Sequence, residues 1–142
     1  MTIRATVAEF NPFHNGHKHL VDLMREDGAA AIAVMSGNYV QRGSCAVYDK
    51  FTRAKVAVSC GLDLVLELPL IYSLASAEYF ALGAVETLNA LNLVDELWFG
   101  SEAEAIEPLR EMAYVLSDES AEFRAALSVA LSAGESFASA RQ

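Results

Sequence analysis

The sequence predicts an α/β fold, a doubly wound parallel sheet with a C-terminal helical hairpin. Short apolar runs bounded by turn or polar residues alternate with stretches of helical period. The chain has 142 residues, 54% of them hydrophobic, which suits one globular domain with one sizeable core. After Phe99 only helical periodicity continues. Strand then helix, repeated, implies a parallel sheet with right-handed crossovers.

The elements follow in order. Residues 3–8 read as the first buried strand, and Leu20, Val21 and Met24 give the next helix its apolar face. Residues 29–35 make the second strand. Phe51, Ala54 and Val58 form the inner face of the second helix, with Gly61 where a C-terminal glycine would stand. Residues 62–68 make the third strand, ended by Glu67-Leu68-Pro69. Phe80, Ala84, Leu88 and Leu91 mark a third helix with Ser76 available as its N-cap. Residues 96–99 are the fourth strand. Ile106, Leu109, Met112 and Leu116, then Phe123, Leu127 and Leu131 before Gly134, give the two helices of the hairpin. The strand–helix core is expected over about 1–104 and the helical tail over 105–142, with no repeat, low-complexity segment or obvious linker.

Mean hydropathy is positive, yet charged or polar residues interrupt every apolar run before the roughly 20 residues a membrane span requires. The N-terminus lacks the long apolar region of a signal peptide. The expectation is a cytoplasmic protein that does not engage a membrane. Net charge is −9, which disfavours strong nucleic-acid binding by this chain alone. Cys45 and Cys60 are too few and too far apart for a disulfide scaffold or a zinc knuckle.

Glu9-Phe10-Asn11-Pro12-Phe13-His14-Asn15-Gly16-His17 follows the first strand and leads into the first helix. Ligands of open α/β sheets bind at the carboxyl ends of the strands. A helix that begins there aims its unpaired N–H groups and positive dipole end at the crevice, which suits phosphate. Gly16 lets the backbone approach a ligand, and two histidines can donate to phosphate oxygens as charge builds on them. The chemistry this favours is attack on the α-phosphate of a nucleotide. The same two histidines also suit a helix cap and a surface residue. His14, His17 and His19 lie close together, but no Asp, Glu or Cys at a familiar spacing completes a zinc set, so no metal ligands are assigned.

Ser36-Gly37-Asn38-Tyr39-Val40-Gln41-Arg42-Gly43 follows the second strand and reads as a mobile loop at the same rim, where Arg42 can clamp a phosphate or carboxylate. An ordinary turn-rich loop is the alternative. Lys50 and Arg53 fall on the crevice side, or are simply solvated. Phe99-Gly100-Ser101-Glu102 forms a third rim position: Gly100 allows close approach of adenine or ribose, and Ser101 can cap the next helix. Glu67 is read as structural, facing the crevice or meeting a basic partner.

These segments, with Asp49-Lys50, Arg53-Ala54, residues 61–69 and Ser76-Ala77-Glu78-Tyr79-Phe80, resemble the bacterial tRNA-Met cytidine acetate ligases of the HxGH nucleotidyltransferase superfamily. Gly134-Glu135-Ser136-Phe137 through Ala140-Arg141 extends the similarity to the end of the chain. The resemblance implies a Rossmann-like, HUP-type fold and ATP as substrate, with Mg2+. It implies activation of acetate as acetyl-adenylate and acetyl transfer to N4 of the wobble cytidine of elongator tRNA-Met. It places Val7, Ala8, Glu9, Phe10, Asn11, Pro12, Phe13, His14, Asn15, Gly16, His17, Lys18, His19 and Leu20 in the ATP-binding loop, His14 and His17 as the catalytic pair on the phosphates, and Gly100 near the nucleotide. Ser36, Gly37, Asn38, Arg42, Lys50 and Arg53 would support phosphate or substrate.

The family's chains are longer. They carry an Asn-x-x-Leu-Gly-x-Glu-Tyr segment, a Ser-rich segment ending in Ile-Arg that closes over the triphosphate, and a C-terminal helical region for tRNA, none of which this sequence contains. Ser44-Cys45 stands where Glu-Pro is common. The expectation is little or no ligase activity from these residues alone, tRNA contact through regions outside them, and possible self-association through an unpaired sheet edge. A different small-molecule adenylyltransferase and a nucleotide-binding module without catalysis are the rival readings.

Overall fold

A computed structural model describes residues 1–101 and 105–140, and divides the chain into two compact units, Met1–Gly100 and Ser101–Gln142. Glu102 and Arg141, quoted in the resemblance, lie outside the described residues.

The first unit holds one four-stranded parallel sheet in the order β3-β2-β1-β4. Its strands are β1 (Ile3–Ala8), β2 (Ala30–Ser36), β3 (Leu64–Leu68) and β4 (Glu96–Trp98). β1 pairs with β2 from Ile3 against Ala30 to Ala8 against Met35, and with β4 from Arg4 against Glu96 to Thr6 against Trp98. The four predicted strands all form, with boundaries moved by one or two residues. Leu62 lies outside β3 but is buried in the core.

The sheet is covered on both faces because its strands carry apolar residues at both parities. Phe10, Val21, Met24, Ala31, Ala33, Met35, Ala57 and Leu62 form one core, with α1 (Asn15–Met24) and α2 (Lys50–Ser59). Ala5, Ile32, Val34, Leu68, Ala84 and Leu88 form the other, with α4 (Ala77–Leu91). The chain winds outward from β1 to β3, then returns so that β4 lies on the other side of β1. That reversal puts the topological switch point at β1, directly before the histidine motif.

Three local readings are corrected. Phe51 is 75% exposed and Val58 is exposed; α2 instead buries Arg53 and Ala57, so a cation occupies the inward face that an apolar count assigns to its neighbours. Ser76 sits at the N-cap of α4 but makes no side-chain capping bond. A short helix, α3 (Leu70–Ser73), follows Pro69 where none was expected. Gly61 does follow α2, with φ +120°; a Cβ there would also lie 3.2 Å from Val21 Cγ1.

The second unit contains α5 (Glu107–Ser117), α6 (Ala121–Ser132) and α7 (Phe137–Ala140). The two predicted tail helices are α5 and α6. The N-cap of α5 is Ile106, so Ser101 does not cap it. Ser120 caps α6 by accepting the Phe123 N–H. Among the described residues no helix is long and apolar enough to cross a membrane.

Candidate active site

The turn from β1 into α1 is organised by its two histidines. His14 is the N-cap, with extended backbone (φ −140°, ψ 177°). Its Nδ1 accepts the Gly16 N–H at 3.1 Å, and the Nδ1 of His17 accepts the His14 N–H at 3.2 Å. The pair closes a capping box in which imidazoles take the roles usually filled by Ser and Glu. The rings stack with centroids 3.7 Å apart at 24°. A Cβ on Gly16 would lie 3.1 Å from His14 Cε1, so this glycine makes room for the capping ring. The cap thus uses Nδ1 of both rings.

Behind the pair stands Phe10, 1% exposed, with φ +47°. That region is disfavoured for a bulky residue, so packing has to hold it. Its ring meets Phe13 at 5.1 Å and His17 edge-on at 5.0 Å. The Asn11–Pro12 peptide is cis. The His17 imidazole is pushed below the ordinary histidine range, first by burial and then by the charge of His14.

The loop after β2, read from the sequence as a mobile rim loop, is tied to this motif by hydrogen bonds. The Glu9 carboxylate accepts the Gln41 N–H at 2.6 Å, and Asn11 Oδ1 accepts the Val47 N–H at 2.7 Å. Tyr39 and Cys45 form an antiparallel bridge inside the loop, and the Gln41 side chain donates to the Ala75 carbonyl. Asn38 Oδ1 accepts the Lys50 N–H at 2.9 Å. Glu9 and Asn11 thus turn their side chains to the loop.

Arg53 departs most from its expected part as a phosphate contact. It is 2% exposed, and its guanidinium donates to the carbonyls of Tyr48, Glu9, Ser36 and Gly37. Burial lowers its pKa, against the opposing pull of Glu9, Asp49 and Glu67. Lys50 is paired with Glu67 at 2.6 Å, the basic partner anticipated for that glutamate. Glu67 Oε1 lies 2.5 Å from where a Cβ on Gly37 would stand, so a side chain there would have to displace this carboxylate.

The other candidates divide by exposure. Val7, Ala8 and Leu20 are half-buried and pack against the two cores. Ser36 is fully buried, with an Oγ that has no hydrogen-bond partner. Pro12, Asn15, His19 and Arg42 are exposed, while Lys18 pairs with Asp22. Gly100 is exposed, and among the described residues nothing lies within 4 Å of where a Cβ on it would stand. Sequence reasoning named Glu9, Phe10, Asn11 and Gln41 but missed the positive φ of Phe10 and the anchoring of the loop by the Glu9 and Asn11 side chains; acceptor side chains beside a Pro-containing turn were the available signal. Among the described residues no group of three His, Cys, Asp or Glu side chains is placed to hold a metal ion.

The family model of the HIGH nucleotidyl transferases matches residues 1–142. A tRNA(Met) cytidine acetate ligase of Clostridium botulinum strain Loch Maree is 46% identical over 99% of this chain and 35% of its own length. The Clostridium kluyveri enzyme of the same name is 48% identical, again over 99% and 35%. The crystal structure of Thermotoga maritima TmcAL bound with alpha-thio ATP superposes with a TM-score of 0.93 at 44% identity, covering 99% of this chain and 34% of that one. Its apo form gives a TM-score of 0.90. The chain thus spans about a third of the length of these relatives.

Proposed function

The chain belongs to the HIGH nucleotidyl transferase family, and from that premise we propose that it is the ATP-binding portion of a tRNA(Met) cytidine acetate ligase. The observation that carries the reading is the His14–His17 capping box at the switch point of the sheet. It points the N-terminus of α1, with two ring nitrogens unused by the cap, at the place where a triphosphate would lie.

In the proposed reaction an acetate oxygen attacks the α-phosphorus of ATP and pyrophosphate leaves, giving acetyl-adenylate. N4 of the wobble cytidine then attacks the acetyl carbon, the bond from that carbon to the bridging oxygen breaks, AMP leaves with that oxygen, and N4 gives up one proton to solvent. His14 and His17 donate to the phosphate oxygens as charge gathers there, and the α1 N-terminus adds its dipole. Magnesium enters as the ATP complex. Gly100 leaves room for the nucleoside, and Arg42 is the exposed cation of the rim loop. Ser36, Gly37, Asn38, Lys50 and Arg53 shape the rim. A tRNA substrate fits a cytoplasmic setting. Acetate and tRNA bind with the help of segments that the longer relatives possess, so these residues alone turn over slowly or not at all.

The test is acetate-dependent exchange of labelled pyrophosphate into ATP by this chain joined to the remaining two thirds of a full-length relative. Exchange that needs acetate and disappears in a His14→Ala, His17→Ala variant supports the ligase. Exchange with other small acids but not acetate favours a different adenylyltransferase. ATP binding without any exchange favours a module that does not catalyse.

A further inference from the structure

The two histidines use different nitrogens for two tasks, and we propose that both imidazoles are held as the neutral tautomer protonated at Nε2. The nucleotide then meets a pair of uncharged Nε2–H donors rather than imidazolium cations. The tautomer rests on geometry alone; its ligand rests on the function proposed above.

Each Nδ1 accepts a main-chain N–H, His14 from Gly16 at 3.1 Å and His17 from His14 at 3.2 Å. A main-chain N–H only donates, so each Nδ1 has to present its lone pair. In a neutral imidazole the proton then resides on Nε2. Protonating either ring would set an Nδ1–H against another N–H and undo half of the capping box. Stacking at 3.7 Å adds a second constraint, since two imidazolium charges at that separation repel.

The surroundings do not oppose this. Phe10 and Phe13 press on His17 at 5.0 and 5.5 Å, and neither ionises. On the motif itself, the Glu9 carboxylate is engaged by the Gln41 N–H, and Lys18 is paired with Asp22. Burial and the neighbouring ring both push His17 toward its neutral form. The positive potential of the site then comes from the N-terminus of α1, and the histidines add fixed, directional donors. Phosphate binding by such a pair requires no proton uptake.

Long-range 15N–1H correlation spectra of the histidine-labelled chain at pH 8, without nucleotide, test the tautomer. His14→Asn and His17→Asn variants assign the rings. The expected spectra show a lone-pair Nδ1 and a protonated Nε2 for His14 and His17, against the averaged pattern of the exposed His19. An Nδ1–H or an averaged pattern for either ring overturns the proposal. The division of labour has its own readout. Asn places an acceptor where Nδ1 stood, whereas Gln reaches toward Nε2 and leaves the cap. His14→Asn is expected to melt close to the parent and bind ATP at least tenfold more weakly, and His14→Gln to melt lower. The reverse order of melting overturns the proposal. Parent spectra with both Nε2–H tautomers but no ATP binding would uphold the tautomer and overturn the nucleotide reading.

Discussion

Arg53, on α2, donates to the main-chain carbonyl of Glu9, the residue that follows β1 and precedes the left-handed Phe10. The same guanidinium also holds the carbonyls of Ser36 and Gly37 at the end of β2. One buried side chain therefore fastens together the two strand ends from which the rim of the candidate site departs.

Removing that fastener should be costly. Arg53→Met would strand several buried carbonyls, and at roughly 1–3 kcal/mol for each unsatisfied group the loss should be about 3 kcal/mol or more. Arg53→Lys should recover little, because an ammonium lacks the fork that reaches both strand ends. Urea denaturation followed by circular dichroism measures both. A loss below about 1 kcal/mol for Arg53→Met would contradict the clamp.

Acid should loosen the motif through His17. Its folded pKa lies below the unfolded value near 6.5. The associated stability is present above about pH 6.5 and is lost as pH falls through that value toward the lower folded pKa. Melting temperatures across pH 5–8 should therefore show a decline on acidification that shrinks in His17→Asn, which keeps an acceptor near the Nδ1 position but does not titrate. An equal decline in both proteins would assign the effect to other groups.

Gly83 tests the other face of the sheet. A Cβ at this position in α4 would overlap the root of the Tyr72 ring on α3. Gly83→Ala should cost about 1–3 kcal/mol in the parent through overpacking. In a Tyr72→Gly background, which also removes the Cβ that would lie 2.6 Å away, the same change should become neutral or stabilising by up to about 1 kcal/mol, because alanine is the better helix former. Additive effects in this double-mutant cycle would mean that the ring shifts aside without cost.

Much of the fold was legible because both periodicities are strong. Val21 and Met24 fall on the inner face of α1, and Ala84 and Leu88 on that of α4, as their spacing predicts. Residues 29–35 locate β2 to within one position. The reading failed where a polar group does a core residue's work. Arg53 takes the inward place on α2, leaving Phe51 outside, because its partners are main-chain carbonyls that leave no side-chain pattern to find. The histidine motif was recognisable as a helix entry at the end of β1, with a histidine cap among its readings. The reciprocal use of both rings was not, since that depends on ring rotamers. The tethers of the loop after β2 were not legible because they run from Glu9 and Asn11, some 32 to 36 residues away in sequence.

The most direct test of the central claim is a titration of ATP with magnesium into the 15N-labelled chain, alongside a His14→Ala, His17→Ala double variant. Amide spectra detect binding even when it is weak. The account predicts saturable shifts at Asn15, Gly16, His17 and Gly100 in the parent, lost or much weakened in the variant. Shifts that persist unchanged in the variant, or that cluster away from the β1–α1 turn, would contradict it.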